Sequence, residues 1–394
     1  MGSIHRFIVF LITASLFGCK ASKVVAPSAL EVNSVETEQL SEDSLKPIIE
    51  DTISQVEEPV ELQLYPTPTD YVDLVAVGDI MMGTNFPNES YLPRDKGRML
   101  WKDVKSYLQE ADICFGNLEG VILSDGGEQK ECKNPKACYL FRTPDEYAFN
   151  FKEAGFDLLS LANNHANDFG QTGRLNTQKV LDSLGIAYAG SIESPVTSIT
   201  RKRLRIGLIA VAPNKGTLSI HDTDQILRLV KELDKKNDIV LVSFHAGAEG
   251  AKNMHVTRER EFYYGEDRGN VYDFAHLMID QGADLLIGHG PHVPRAIELY
   301  QDRLIVYSLG NFLTYGRFNL KGPNGEAPLF RIRLDNAGRF MEGQIHSFYQ
   351  DYQLGPRLDM NAKATHTIRS LSIEDFPESP IIIDETGRIS YIPN

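Results

Sequence analysis

Cysteine is scarce in this 394-residue chain, four in all, and tryptophan occurs once. So thin a supply excludes a disulfide-dense scaffold, and the lack of any period of roughly 20–50 residues excludes a repeat array. No apolar run reaches the roughly 20 residues that a membrane-spanning helix needs, so a multi-pass membrane protein is excluded as well. Cationic character is also missing. Lys and Arg number 40 against 54 Asp and Glu, a net charge of −14, which argues against nucleic acid as a partner.

The deficit is uneven. Residues 1–23 carry Arg6, Lys20 and Lys23 with no acid, for +3, whereas residues 24–70 carry eleven acids against Lys46 alone, for −10, leaving −7 for the rest. At the start, His5 and Arg6 precede an apolar run from Phe7 to Leu16 that ends in Leu16-Phe17-Gly18-Cys19. Positive, apolar, then small is the order of an export signal. The tetrapeptide resembles a bacterial lipoprotein signal, which implies cleavage after the small residue and a lipid on Cys19; plain secretory cleavage nearby is the alternative that bulky Phe17 leaves open. Residues 20–70 hold Ser, Thr, Pro and acids, with Tyr65 as their one aromatic residue. Such a segment cannot bury enough apolar surface to offset chain entropy and reads as a disordered, self-repelling tether. The expected organisation is a signal at 1–19, a tether at 20–70 and a folded domain at 71–394, lying outside the cytoplasm and lipid-anchored to a bacterial membrane.

From Val72 onward short apolar runs alternate with amphipathic stretches. The runs include Leu74-Val75-Ala76-Val77, Ile113-Cys114-Phe115, Leu158-Leu159-Ser160-Leu161, Ile206 to Val211, Ile239 to Phe244, Leu285-Leu286-Ile287 and Leu304 to Tyr307. Helical spacings lie near 98–110, 144–154, 172–184, 223–236 and 270–281. Continuous apolar runs indicate strands buried on both faces, and their alternation with helices indicates an α/β fold. Residues 327–394 turn to alternating patterns, which predict antiparallel strands finishing a sheet.

Six of these strands end in polar groups: Gly78-Asp79, Gly116-Asn117-Leu118-Glu119, Asn163-Asn164-His165, His245 with Glu249, His289 with His292, and Gly310-Asn311. In open α/β sheets the carboxyl ends of the strands form the ligand crevice. Singly, each has an ordinary reading, as a turn residue, a capping amide or an interior histidine. Their conjunction at one edge is the signal. Imidazole with carboxylate and amide oxygen suits Mn, Fe or Zn, no thiolate cluster is present, and Cys114 reads as core. Such an ion activates water and polarises a phosphoryl or carbonyl oxygen, so hydrolysis is the reaction class.

At these residues the sequence resembles the CapA family of capsule and poly-γ-glutamate synthesis proteins. The matching segments are Val77-Gly78-Asp79-Ile80-Met81, Gly116 to Glu119, Leu161 to His165 with Asp168 and Gly170, His245-Ala246-Gly247 with Glu249, Gly288 to Val293, and Tyr307 to Phe312. They span about 72–315 in the family's order. The resemblance implies a metallophosphoesterase-like two-sheet sandwich flanked by helices, with Asp79, Asn164, His245, His289 and His292 as metal ligands and His165 as acid/base. Two departures weaken a two-ion centre: Met81 stands where phosphoesterases carry a His, and Asn117 where a carboxylate bridges the ions. The final histidine pair is also one residue farther apart. One divalent ion, with Glu119 supplying an oxygen, is therefore preferred over two, and Asn117 joins His165 as a candidate for the catalytic step.

Arg142, in Tyr139-Leu140-Phe141-Arg142, could grip a substrate carboxylate or phosphate, with a surface ion pair as its alternative. Glu249 and Asn311 complete the candidate substrate contacts. Residues 252–268, rich in mixed charge and following His245, read as a solvated loop, with a substrate-facing lid as the alternative. Cys132 and Cys138 are expected to pair, since an exported protein tolerates disulfides. The favoured function is metal-dependent hydrolysis or transfer of an anionic polymer or phosphoester, in company with a capsule or polymer synthase complex. A non-catalytic scaffold of polymer export and a periplasmic metallophosphoesterase are the alternatives.

Overall fold

The computed structural model describes residues 71–131 and 138–392. The leader, the tether, Cys19 and Cys132 lie outside the described residues. Contacts divide the chain into Met1–Gln63 and Leu64–Asn394, and everything below concerns the second unit.

The chain lays down its strands in three runs. The first holds β1 (Tyr71–Met81), β2 (Ile113–Leu118), the short pair β3 (Val121–Ile122) and β4 (Arg142–Thr143), β5 (Leu158–Ser160) and β6 (Ala187–Ala189). Helices α1 (Lys105–Leu108), α2 (Phe149–Ala154) and α3 (Gly170–Leu184) cross between them, so that β1, β2, β5 and β6 pair in parallel. The second run holds β7 (Val196–Arg201), β8 (Leu204–Val211), β9 (Ile239–His245), the hairpin β10 (Phe262–Tyr263) and β11 (Glu266–Asp267), β12 (Leu285–His289), β13 (Ile297–Tyr300) and β14 (Arg303–Val306). Helix α4 (Thr223–Asp234) precedes β9 and α5 (Val271–Asp280) precedes β12. This run forms a six-stranded sheet in the order β13-β14-β12-β9-β8-β7. The third run returns to the first sheet with β15 (Asn311–Thr314), β16 (Glu326–Asp335), β17 (Phe340–Asp351), β18 (Gly355–Leu358), helix α6 (Lys363–Asp375), β19 (Ile381–Ile383) and β20 (Arg388–Tyr391). That sheet has ten strands, ordered β19-β20-β17-β16-β1-β2-β5-β6, with β15 on β1 and β18 on β17.

Side-chain alternation makes the sandwich. In β1, Val72, Leu74 and Ala76 meet Leu208, Leu241 and Ile287 of the other sheet. Val75 and Val77 point the opposite way and pack with Leu108 and Phe151. The outer face of the six-stranded sheet lies under α4 and α5. Helix α4 starts where Asp222 accepts from the Gln225 amide and buries Ile226, Val230 and Leu233 at a helical period. The α/β sandwich flanked by helices, with antiparallel C-terminal strands, is the architecture the sequence predicts.

Two elements differ from expectation. The spacing at 98–110 produces only the end of a 3₁₀ stretch, Arg94–Trp101, and the four-residue α1, which no side chain caps. Within 327–394, where alternating patterns predict strands, the chain also forms α6, which buries Ala364, Ile368 and Leu371. Its Thr and Ser residues blur the apolar period that would have announced it.

Candidate metal centre

Strand register delivers the polar groups to one edge. Asp79 near the end of β1 is level with Asn117 of β2 on one side and Asn311 of β15 on the other. Asn311 thus opens a strand rather than following one. Across the sandwich, His245 and His289 end adjacent parallel strands in register. The turn at 309–310 comes so close to β1 that a Cβ on Gly78 would lie 2.0 Å from the Gly310 carbonyl oxygen, so only glycine fits.

Asp79 is fully buried. Its Oδ1 accepts from Asn117 Nδ2 at 2.8 Å, its Oδ2 lies 2.8 Å from His292 Nδ1, and His289 Nδ1 approaches Oδ1 at 3.3 Å. Asn117 Nδ2 donates again, to Glu119 Oε2 at 2.9 Å, while its Oδ1 accepts from Asn163 Nδ2 at 3.3 Å. His245 Nδ1 sits 3.7 Å from Glu119 Oε2. Asn117, a candidate for catalysis from sequence, has its side-chain atoms hydrogen-bonded to Asp79, Glu119 and Asn163. His292 adopts a left-handed backbone with φ 57°, strain that a non-glycine residue bears only when its surroundings hold it.

Burial and charge work against each other here. Desolvation pushes the Asp79 carboxyl up, but the flanking imidazoles of His289 and His292 outweigh it and hold Asp79 well below the usual carboxylate range. For His292, burial pulls down while the Asp79 hydrogen bond and the Glu249 charge raise it to about 9. Burial, reinforced by Asp79, pushes Glu119 well above its ordinary value, and burial drives His245 well below its own. His245 is therefore neutral, the form that ligates metal.

Several buried atoms have no hydrogen-bond partner: Glu119 Oε1, Asn164 Oδ1, Asn311 Oδ1, and both ring nitrogens of His245 and of His289. Leaving one such group bare costs about 1–3 kcal/mol, so a cluster of them marks a place where something else bonds. Asp79, Glu119 and His245 present ligand atoms that all lie within 4.8 Å of one another. Carboxylate and neutral imidazole at that spacing fit a first-row divalent cation.

Beside the centre, the turn after β5 holds His165. Asn163 Oδ1 accepts from the His165 amide at 3.1 Å, and His165 Nδ1 lies 2.6 Å from Asp168 Oδ2. Asp168 is fully buried and also accepts from the Phe141 amide at 2.8 Å. The Phe141 ring lies 4.1 Å from the His165 ring. Phe318 stacks on Phe141 at 5.1 Å and meets His292 edge-on at 5.6 Å, roofing the gap between two site histidines. Sequence reasoning assigned no role to Asp168, Asn163 or Phe318. An acid three residues after a histidine was the one signal available.

The remaining candidates divide. Glu249 Oε2 lies 3.9 Å from His292 Nε2. Asn311 Nδ2 donates to the His292 and Asn324 carbonyls. Asn164 accepts from Lys130 through its backbone oxygen, leaving the side chain for a ligand. Arg142 is turned to the loops, donating to Asn85 and to the Gly126 carbonyl with its guanidinium over Phe169. It is half-buried, and its Nη1 lies 3.7 Å from the exposed carboxylate of Asp125, the ion pair of the alternative reading. Cys138 is disulfide-bonded, and Cys132, its expected partner, lies outside the described residues. Segment 252–268 is largely exposed, as a solvated loop should be, but not throughout. It contains the β10–β11 hairpin, and Arg268 is 1% exposed, its charge met by Glu266 and Glu249.

A sequence model of the family described as bacterial capsule synthesis protein PGA_cap matches residues 73–315. The chain belongs to this family. It is 29% identical over 259 residues to capsule biosynthesis protein CapA of Bacillus anthracis, covering 61% of this chain and 59% of that one. It is likewise 29% identical over 255 residues to PGA biosynthesis protein CapA of Bacillus subtilis strain 168, covering 60% and 62%. The PGA_cap member thus spans about three fifths of the length of these two relatives. Among solved structures it is similar to the 5′-nucleotidase precursor of Thermus thermophilus, at TM-score 0.40 and 9% identity over 77% of this chain and 59% of that. It is also similar to purple acid phosphatase PPD1 of yellow lupin, at TM-score 0.36 and 13% identity over 74% and 54%. Likenesses this slight carry no functional argument.

Proposed function

We propose that the chain is a metal-dependent hydrolase or transferase of an anionic polymer of the linked-glutamate kind, lipid-anchored through Cys19 outside the cytoplasm beside a polymer synthase complex. One observation carries the catalytic part: the unpartnered, buried ligand atoms of Glu119, His245 and His289 gathered around Asp79, next to the His165–Asp168 pair.

Asp79, Glu119, His245 and His289 would hold one divalent ion of the Mn, Fe or Zn class, with the Asn164 oxygen as a further donor. When bound, such an ion supplies Lewis acidity toward an acyl or phosphoryl oxygen and acidifies water. The chain's own residues do the rest. Asp168 fixes the orientation and tautomer of His165 by accepting from Nδ1, which leaves Nε2 to take a proton from the attacking water and then return it to the departing group. His292 donates from Nδ1 to Asp79, and Asn117 bridges the two carboxylates by donating to both. Phe141 and Phe318 exclude water from the histidine side.

The test is metal analysis of purified protein followed by turnover on poly-γ-glutamate by wild type and His165→Ala. A metal-bearing His165→Ala protein without turnover supports the reading. A metal-free wild type, or turnover indifferent to His165, overturns it. A second reading, a non-catalytic binding subunit of polymer export, draws on Asn117, whose amide donor stands between the carboxylates where bridging two ions needs an anion. Polymer binding without turnover selects it.

A further inference from the structure

Most arginines of the domain that are not on the surface meet a carboxylate: Arg174 with Glu193, Arg201 with Asp157, Arg268 with Glu266, Arg295 with Glu261, Arg331 with Asp73. Arg317 does not. It is half-buried, and among the described residues no acid pairs with it. Its guanidinium carbon instead lies over two aromatic rings, 4.7 Å from the centroid of Tyr91 and 4.7 Å from that of Tyr139. Contact with aromatic faces attracts and holds a guanidinium without using its N–H donors, which stay available to a planar carboxylate.

Its address matters as much as its surroundings. Thr314 is level with Met81, two residues past Asp79, and the Tyr315 amide donates to the Met81 carbonyl at 2.8 Å. Gly316, with φ 88°, turns the chain beside Tyr91. Arg317 follows, and next to it Phe318 roofs His165 and His292 through Phe141. The same short turn therefore carries the roof and an unpaired cation. We infer that Arg317, clamped by Tyr91 and Tyr139, is a subsite at the mouth of the centre for a second carboxylate of an extended acidic polyamide, one or more units along from the group at the metal. The inference rests on the polymer reading above and adds to it the residue that measures substrate length.

The experiment is titration calorimetry of the full chain, loaded with Mn²⁺, against γ-linked glutamate oligomers of increasing length and the γ-glutamyl dipeptide. For wild type, affinity rises with length. In Arg317→Gln the advantage of a long oligomer over the dipeptide shrinks roughly tenfold, the low end of what a charge-assisted hydrogen bond contributes, with metal content unchanged. Arg317→Lys recovers little, because a point charge lacks the planar fork. Tyr139→Ala, which removes one wall at an exposed position, loses a smaller part of the same advantage. An unchanged length dependence in Arg317→Gln, an equal loss for a neutral γ-linked glutamine oligomer, or a loss of metal from the variant each overturns the subsite while leaving the reading of the centre intact. A wild type that binds no glutamate oligomer overturns both.

Discussion

Arg295 meets Glu261 through two parallel hydrogen bonds inside the protein, Nη1 to Oε1 at 2.8 Å and Nη2 to Oε2 at 2.7 Å. The guanidinium is fully buried and Glu261 nearly so. Arg295 also donates to the Asn253 and Ala248 carbonyls, while Glu261 accepts from the Ala248 amide. The pair pins the loop behind His245 and Glu249. Glu261→Ala leaves an uncompensated buried charge and is expected to cost about 3–5 kcal/mol. Urea unfolding measures this, and a loss below about 1 kcal/mol contradicts it.

Asp168 bonds His165 Nδ1 at 2.6 Å and shares no hydrogen bond with Asp79 or Glu119. Asp168→Asn is expected to lower turnover about a hundredfold, in the range of general acid–base contributions, while the bound metal stays. Parallel turnover and metal analyses check it. Concurrent loss of metal would place Asp168 among the groups that hold the ion.

Divalent cation is expected to stabilise the fold, since the ligand atoms are brought together only by folding. At a hundredfold excess over the dissociation constant the gain is about 2.7 kcal/mol. The melting temperature should climb with Mn²⁺ concentration for wild type and stay flat for His289→Ala, provided the variant still unfolds cooperatively.

Glu193 offers a pH test away from the metal ligands. Burial pushes its carboxyl up, but Arg174 and the Ser191 hydroxyl prevail and bring it down to about 2. Arg174 also bonds Asn167, so the pair ties α3 to the turn after His165. A depressed folded-state value stabilises above the ordinary glutamate range, and this contribution disappears as pH falls from about 4.5 toward 2. With allowance for partial exposure it amounts to about 1–2 kcal/mol. Glu193→Gln should be less stable at pH 7 by that amount and show a flatter acid limb in urea midpoints taken from pH 7 to 3.

Gly78→Ala puts a methyl 2.0 Å from the Gly310 oxygen, a backbone atom that cannot swing aside. A cost of about 3 kcal/mol or more is expected, with metal affinity falling as well, because Asp79 is the next residue and its amide donates to that same oxygen at 2.9 Å. An unaltered melting temperature would refute the close approach.

How much of this was legible beforehand depended on what each residue leans on. Asp79, His245 and His289 end continuous apolar runs, and parallel strands bring such ends together whatever the details, so their common address could be read from spacing alone. The choice between Asn163 and Asn164 could not. Which of two adjacent amides enters the Asn117 network is set by the turn after β5, and a turn's dihedral angles leave no periodic trace. Arg268 was hidden by composition: the charges of 252–268 suggest solvent, yet Glu249 and Glu266 let one guanidinium be buried among them. Arg142 was misleading for a related reason, since an arginine beside an aromatic residue looks the same whether it faces a ligand or clasps a neighbouring loop.

Asp79 and His292 touch although 213 positions separate them, and the carboxylates of the centre belong to one sheet while His245 and His289 belong to the other. Neither sheet alone can present the set. A nascent chain has no complete ligand set until β12 has been made and the two sheets have closed, so an ion held there, as proposed, would enter only after closure. For such an ion, the metals available in the compartment that hosts the closure would decide its identity ahead of the intrinsic order of affinities.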